Sequence, residues 1–239
     1  MLMMSSHSHG EVVKAESAIN ATLKRLGLDY LNLYLMHFPV QFPTIGKNVI
    51  EYRDTWKAME HLVDKGLTRH IGVANFSPDQ MKDLLKHSTT HPPQVHQMEL
   101  HPYLQQRDWV KWHQDLGIHV TAYSSLAGTN PVYDGDELPT PLLNNTVIKD
   151  IADKRDCTPA QVALMWGLSR GASVIPKSGN HTRIKENFYA LECILQEDDL
   201  DEIEELHKKR FRYNNSSKDW GVQLFDGLED SRGNHEKDS

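Results

Sequence analysis

The sequence predicts an α/β protein built on parallel strands, and three observations carry that prediction. Short apolar runs of strand character alternate with amphipathic stretches of helical period, conspicuous polar residues follow the apolar part of each strand, and the one long irregular stretch lies between strands. Antiparallel neighbours need only tight turns, whereas parallel ones need a crossover, so a helix between successive strands argues for a parallel sheet covered by helices.

In order, VVKAESAINATLKRLGL reads as a helix stopped at Gly27, and YLNLYLM as the first strand. RDTWKAMEHLVDKG is a helix closed by Gly66, and HIGVANF is the second strand. SPDQMKDLLKH opens with Ser77 as its N-cap and Pro78 at the first helical position, a pairing that satisfies one orphan N–H and presets φ for the next. PQVHQMEL is the third strand, RDWVKWHQDLG a helix and IHVTAYS the fourth strand; TPAQVALMWGLSRG is a helix feeding the fifth, ASVIPKS. HTRIKENFYAL then reads as a further helix. Between the fourth strand and the TPAQ helix, residues 126–143 (LAGTNPVYDGDELPTPLL) are too rich in Gly, Pro, Asn and Asp for either element and are expected to form a lid. Residues 1–10 are expected to be disordered, 11–210 to form the body, and 211–239 to be a tail that packs back through Trp220, Val222, Leu224 and Phe225 and frays after Gly227.

With 239 residues, 38% hydrophobic and 25% charged, the composition is globular. A net charge of -7, with Lys and Arg scattered rather than clustered, argues against nucleic acid as a partner. The two cysteines, Cys157 and Cys193, form no CxxC and read as reduced thiols of a cytoplasmic protein rather than a disulfide. The start of the chain lacks the basic, long apolar pattern of a secretory signal, and no run reaches membrane-spanning length. His7 and His9 have no spaced partners that would complete a metal site, so no metal is expected.

The candidate site is read from the strand ends: His37; Asn75; Gln97, Glu99 and His101; Tyr123 and Ser124; Lys177 and Ser178. In a parallel sheet the carboxyl ends share one face, where ligands of such folds bind. Asn75 and Gln97 carry the donors and acceptors that match a carboxamide, and Tyr123 offers a flat ring for stacking, so a nicotinamide suits these residues. In IPKSGNHTR, an ammonium (Lys177), a hydroxyl (Ser178) and a guanidinium (Arg183) gather at a helix start, where unpaired N–H groups favour an anion. An adenosine 2′-phosphate fits there, which predicts NADPH. No GxGxxG follows a strand, so a Rossmann grip on the pyrophosphate is not expected.

The blocks LDYLNLYLMHFP, IGVANFS, HQMELHPYL, VTAYSSLAG and IPKSGNHTRIKENF resemble the successive signature segments of the aldo-keto reductase family, in that family's order and spacing. The resemblance implies a (β/α)8 TIM-type barrel, here incomplete with about five parallel strands (barrel strands four to eight), and NADPH-dependent reduction of aldehydes and ketones without metal or flavin. It also implies His37 as the active-site histidine and a pocket that includes Phe38 and Trp220. Asn75 and Gln97 would hold the carboxamide, Tyr123 the nicotinamide face, and Ser124 and Leu126 the pyrophosphate, leaving Lys177, Ser178, Arg183, Glu186 and Asn187 for the adenosine end. Ala74 stands where a serine is common in the family and His96 where an asparagine is common, which is expected to weaken cofactor binding slightly. The chain begins in what resembles the helix after the third barrel strand, so the segments with the family's aspartate, proton-donating tyrosine and lysine are expected to be absent.

Positioned proton transfer contributes roughly 10²- to 10⁴-fold in rate, so three functions are weighed. The first is a reductase lineage acting on a small polar aldehyde such as glyceraldehyde or a sugar aldehyde, with turnover by this chain in doubt. The second is a non-catalytic NADP-binding or regulatory fragment. The third is an unrelated phosphate-handling (β/α) enzyme, which is disfavoured because no lysine sits at a buried strand end for a Schiff base. Open sheet edges would favour self-association.

Overall fold

The computed structural model describes residues 2–4, 12–40, 51–128 and 138–228. Its parallel sheet has six strands in the order β1-β2-β3-β4-β5-β6: Leu2–Met4, Leu31–Met36, Thr68–Ala74, Val95–Glu99, His119–Tyr123 and Ser173–Val174. The helices are α1 (Val12–Leu26), α2 (Tyr52–Asp64), α3 (Pro78–His87), α4 (Arg107–Asp115), α5 (Thr146–Arg155), α6 (Pro159–Ser169), α7 (His181–Phe188), α8 (Glu197–Glu204) and α9 (Ser217–Trp220). The expected α/β class stands, with six strands rather than five.

The additional strand, β1, lies in the segment expected to be disordered. Leu2, Met3 and Met4 pair with Tyr34, Leu35 and Met36, and Met4 is buried. Three apolar residues that satisfy their backbone groups on the side of β2 away from β3 gain more than they would by fraying. At the other end of the order the expected strand ASVIPKS shrinks to Ser173–Val174.

The chain divides into two compact units, one comprising Met1–Gln97, Lys111–His119 and Ser216–Ser231, the other Met98–Val110, Val120–Asn215 and Arg232–Ser239. In the first unit, α1 buries Ala15, Ile19 and Leu23, one stripe at four-residue spacing. Gly27, at φ 65°, ends that helix, and the N–H of Leu28 returns to the Leu23 carbonyl at 3.1 Å. Ser77 caps α3 with Pro78 in its first turn, as the sequence predicts, and Gln80 completes a reciprocal capping box. Gly72 in β3 is required by close approach: a Cβ there would stand 2.3 Å from the Val95 carbonyl oxygen and 2.7 Å from Leu35. Leu224 and Phe225 of the tail are buried in this unit.

In the second unit, α6 is apolar nearly all round and buries Val162, Ala163, Leu164 and Trp166. Helix α5, capped by Asn145 onto the Val147 N–H, and helix α8 are elements the sequence reading leaves unassigned. Cys157 and Cys193 form a disulfide, which corrects the expectation of free thiols. A sequence separation of 36 hides the pairing; it arises because α6 and the 3-10 turn at Tyr189–Glu192 are packed together, Gln161 Nε2 donating to the Glu186 carbonyl at 3.2 Å and, more weakly, to Tyr189.

Candidate functional site

The first unit gathers His37, Phe38, Asn75, Gln97 and Trp220. His37 follows β2 directly, and burial pushes its imidazole below the usual histidine range, so it is neutral at pH 7. Asn75, just past β3, is buried and sits in the left-handed region at φ 61°. Its Nδ2 donates to the His37 carbonyl at 2.9 Å, and its backbone N–H donates to the Gln97 carbonyl at 3.1 Å. A non-glycine residue held at positive φ by two such bonds is a strained position that the surrounding strands over-determine, as at ligand-binding points. The Phe38 ring lies 4.7 Å from the His37 ring and packs edge-on to Trp220 at 4.6 Å, so the tail returns an indole to the histidine segment.

His96, on β4, is fully buried. Its Nε2 accepts the Phe76 N–H at 3.1 Å, so the proton of the neutral ring sits on Nδ1, which donates to His113 Nε2 at 2.7 Å. Burial first, and then the neighbouring His113, holds His96 well below the usual range. Tyr34 is buried within β2, and burial pushes its hydroxyl up to about 12, so it is not an activated acid.

The second unit contains a cavity of about 630 Å³. Ser124, Leu126, Lys177, Ser178, Arg183 and Asn187 line it, together with Ser125, Ala127, Gly128, Leu143, Ala160, Ile175, Pro176 and Gly179. Six of the eight cofactor residues that the sequence places in this unit therefore share one cavity; Tyr123, which ends β5, and Glu186 are not in its lining. Ser124 is itself at φ 53°, and the Ala127 N–H closes on its carbonyl at 2.9 Å, which bends Ser124–Gly128 into a tight turn. Asn180 caps α7: its Oδ1 accepts the Arg183 N–H at 3.1 Å, and Ser178 Oγ accepts the Asn180 N–H at 3.1 Å. The lining holds two cations, three serine hydroxyls and no carboxylate, a donor set suited to phosphate. Of the expected lid, residues 129–137 lie outside the described residues; the flanking Leu142 N–H bonds to the Ala127 carbonyl at 3.3 Å.

Glu99, noted in sequence without a role, proves central here. Its carboxylate is fully buried and accepts hydrogen bonds from His101 Nε2 (2.9 Å), the backbone N–H groups of Tyr213 (2.7 Å) and Asn214 (2.8 Å), and Asn214 Nδ2 (2.9 Å). Burial alone would raise its pKa, but the His101 bond and charge, then Arg212 and the Tyr213 N–H, win and hold it below the usual carboxylate range. Asn214 Nδ2 also donates to Ser124 Oγ at 3.1 Å. No local pattern could have revealed this, because the partners stand 114 and 115 residues apart.

Among the described residues no group of three or more His, Cys, Asp or Glu is placed to hold a metal, and no helix is long and apolar enough to cross a membrane. His7 and His9 lie outside those residues.

The fold is a parallel six-stranded α/β sheet with helices between its strands. The chain belongs to the Aldo/keto reductase family, whose sequence model matches residues 1–208. It is 41% identical over 246 residues to an uncharacterized oxidoreductase of Schizosaccharomyces pombe, covering 97% of this chain and 73% of that protein. It is 39% identical over 212 residues to the NAD(P)H-dependent D-xylose reductase I,II of Candida tropicalis, covering 80% of this chain and 65% of that one. Among solved structures it superimposes on an aldo-keto reductase complexed with NADPH with TM-score 0.83 and 32% identity, over 95% of this chain and 69% of that one. Across such curated relatives the chain spans between 56% and 73% of their length.

Proposed function

We propose that this chain is an NADPH-binding member of a carbonyl-reductase lineage acting on small polar aldehydes, a sugar aldehyde or glyceraldehyde being the substrate class. The observation that carries the reading is the second unit's cavity, lined by six residues assigned in advance to phosphate and adenosine contacts. Lys177 and Arg183 neutralise phosphate charge, Arg183 through a planar fork, while Ser124 and Ser178 offer hydroxyls. Glu186 and Asn187 on α7 are assigned to the adenosine side, and Tyr123 to ring stacking. In the first unit Asn75 and Gln97 offer the amide partners for a carboxamide, and His37 orients a carbonyl by hydrogen bonding, with Phe38 and Trp220 walling the substrate. When bound, NADPH supplies the hydride. The NADPH of the superimposed reductase and the name of the xylose reductase support the cofactor and the substrate class.

Proton supply separates catalysis from binding. Reduction of a carbonyl ends in an alkoxide that needs an acid, yet burial makes His37 neutral and raises Tyr34 to about 12. These shifts favour a second reading, an NADP-binding or regulatory chain with little turnover of its own. Calorimetric titration with NADPH, followed by the loss of reduced-nicotinamide absorbance with glyceraldehyde or D-xylose, decides. Binding with turnover establishes the first reading and binding without turnover the second, whereas no binding refutes both. A cytoplasmic location and self-association through β1 or β6, the outer strands of the sheet order, belong to the same proposal, and fractionation and sedimentation test them.

A further inference from the structure

We propose that Glu99 is a positioning residue for the nucleotide cavity, acting through Tyr213 and Asn214; the proposal rests on the nucleotide-binding reading above. Glu99 is not among the residues that line this cavity. Its buried carboxylate instead clamps the backbone N–H groups of two consecutive tail residues and the side chain of the second. Both tail residues back the Ser124–Gly128 turn that lines the cavity. Asn214 Nδ2 donates to Ser124 Oγ at 3.1 Å, and the Tyr213 hydroxyl stands so close to Gly128 that a Cβ there would lie 2.7 Å from it. Ser124 and Gly128 both hold positive φ, at 53° and 69°, so the turn needs outside support to keep its shape.

The clamp is specific to a carboxylate. Each carboxylate oxygen accepts one backbone N–H, from Tyr213 on one and Asn214 on the other, and a backbone N–H can only donate, so an amide in its place turns its NH2 toward one of them whichever way it is oriented. Because Ser124 lies where a pyrophosphate is expected, common to NADPH and NADH, loosening this wall affects both nucleotides alike, whereas loss of the Arg183 guanidinium affects the 2′-phosphate alone.

The test is nucleotide titration, well below each variant's melting temperature, of the full chain and of Glu99→Gln, Asn214→Ala, Ser124→Ala and the Asn214→Ala/Ser124→Ala pair. Each single variant is expected to weaken NADPH and NADH by the same factor, roughly three- to ten-fold, with the pair no weaker than its worse member because Asn214 acts through Ser124. Glu99→Gln that melts earlier yet binds both nucleotides as tightly as the parent overturns the proposal, since Glu99 would then only stabilise. Additive losses in the pair, or a changed NADPH-to-NADH ratio, overturn it as well. A parent chain that binds neither nucleotide removes the underlying function too, which distinguishes that failure from a failure of the clamp alone.

Discussion

Reducing the Cys157–Cys193 disulfide should lower the stability of the chain by about 4 kcal/mol, because the bridge closes a loop of 36 residues and removes that much chain entropy from the unfolded state. For a chain of this size such a change corresponds to a melting shift of roughly 8–16 °C. Cys193 is buried and Cys157 half-buried, so Cys157→Ser is the gentler way to open the bridge. The assay is scanning calorimetry of the parent and Cys157→Ser, each with and without a dithiol reductant. The parent should melt markedly lower when reduced, and Cys157→Ser should melt low and ignore the reductant. Two free thiols in the untreated protein by mass spectrometry, or a reduced parent melting within a degree or two of the oxidised one, would refute the reasoning.

Arg183→Ala should weaken NADPH binding roughly 10- to 100-fold while leaving NADH unchanged, measured by titration, as expected for loss of a charge-assisted contact to one phosphate. Asp199 is buried; burial alone would raise its pKa, but bonds from Arg155, the Gln196 N–H and Lys154 hold it at about 2 against an ordinary 3.8. The depressed value means the contribution, about 2 kcal/mol after screening through the half-exposed Lys154, is present above pH ~4 and lost as pH falls toward ~2; Asp199→Asn should flatten that acid limb in denaturant titrations. His96, also depressed, should make stability fall as pH drops below about 6.5, and His96→Asn should blunt that slope in the same measurement. Gly72→Ala should cost at least about 2 kcal/mol by thermal melting, because its Cβ would collide with the Val95 backbone and force β3 away from β4.

What could be read from the sequence was what repeats locally. The stripe Ala15–Ile19–Leu23, the stops at Gly27 and Gly66, and the Ser77–Pro78 start each follow from one or two turns of chain, and the structure keeps them. The cavity residues were legible because Lys177, Ser178 and Arg183 crowd into one short segment whose charge exceeds what a turn needs. Hidden features all depend on distant partners. Strand β1 needs Tyr34–Met36 beside it to be a strand, Cys157 needs Cys193, and Glu99 looks like one more polar residue until Tyr213 and Asn214 arrive. Ile175 still donates its N–H to the Ala122 carbonyl of β5 at 3.3 Å, but Pro176 has no N–H to continue the pairing, and both residues line the cavity.

The carboxylate of Glu99 has a consequence for synthesis. During translation it emerges more than a hundred residues before the two amides that neutralise its desolvation. Burying this carboxylate before residues 213 and 214 are in place would leave it without the two backbone donors that offset its desolvation, so closure of this part of the interior is expected to wait for them. A polypeptide cut off before Tyr213 should therefore keep this region open, visible as fast amide hydrogen exchange around Glu99.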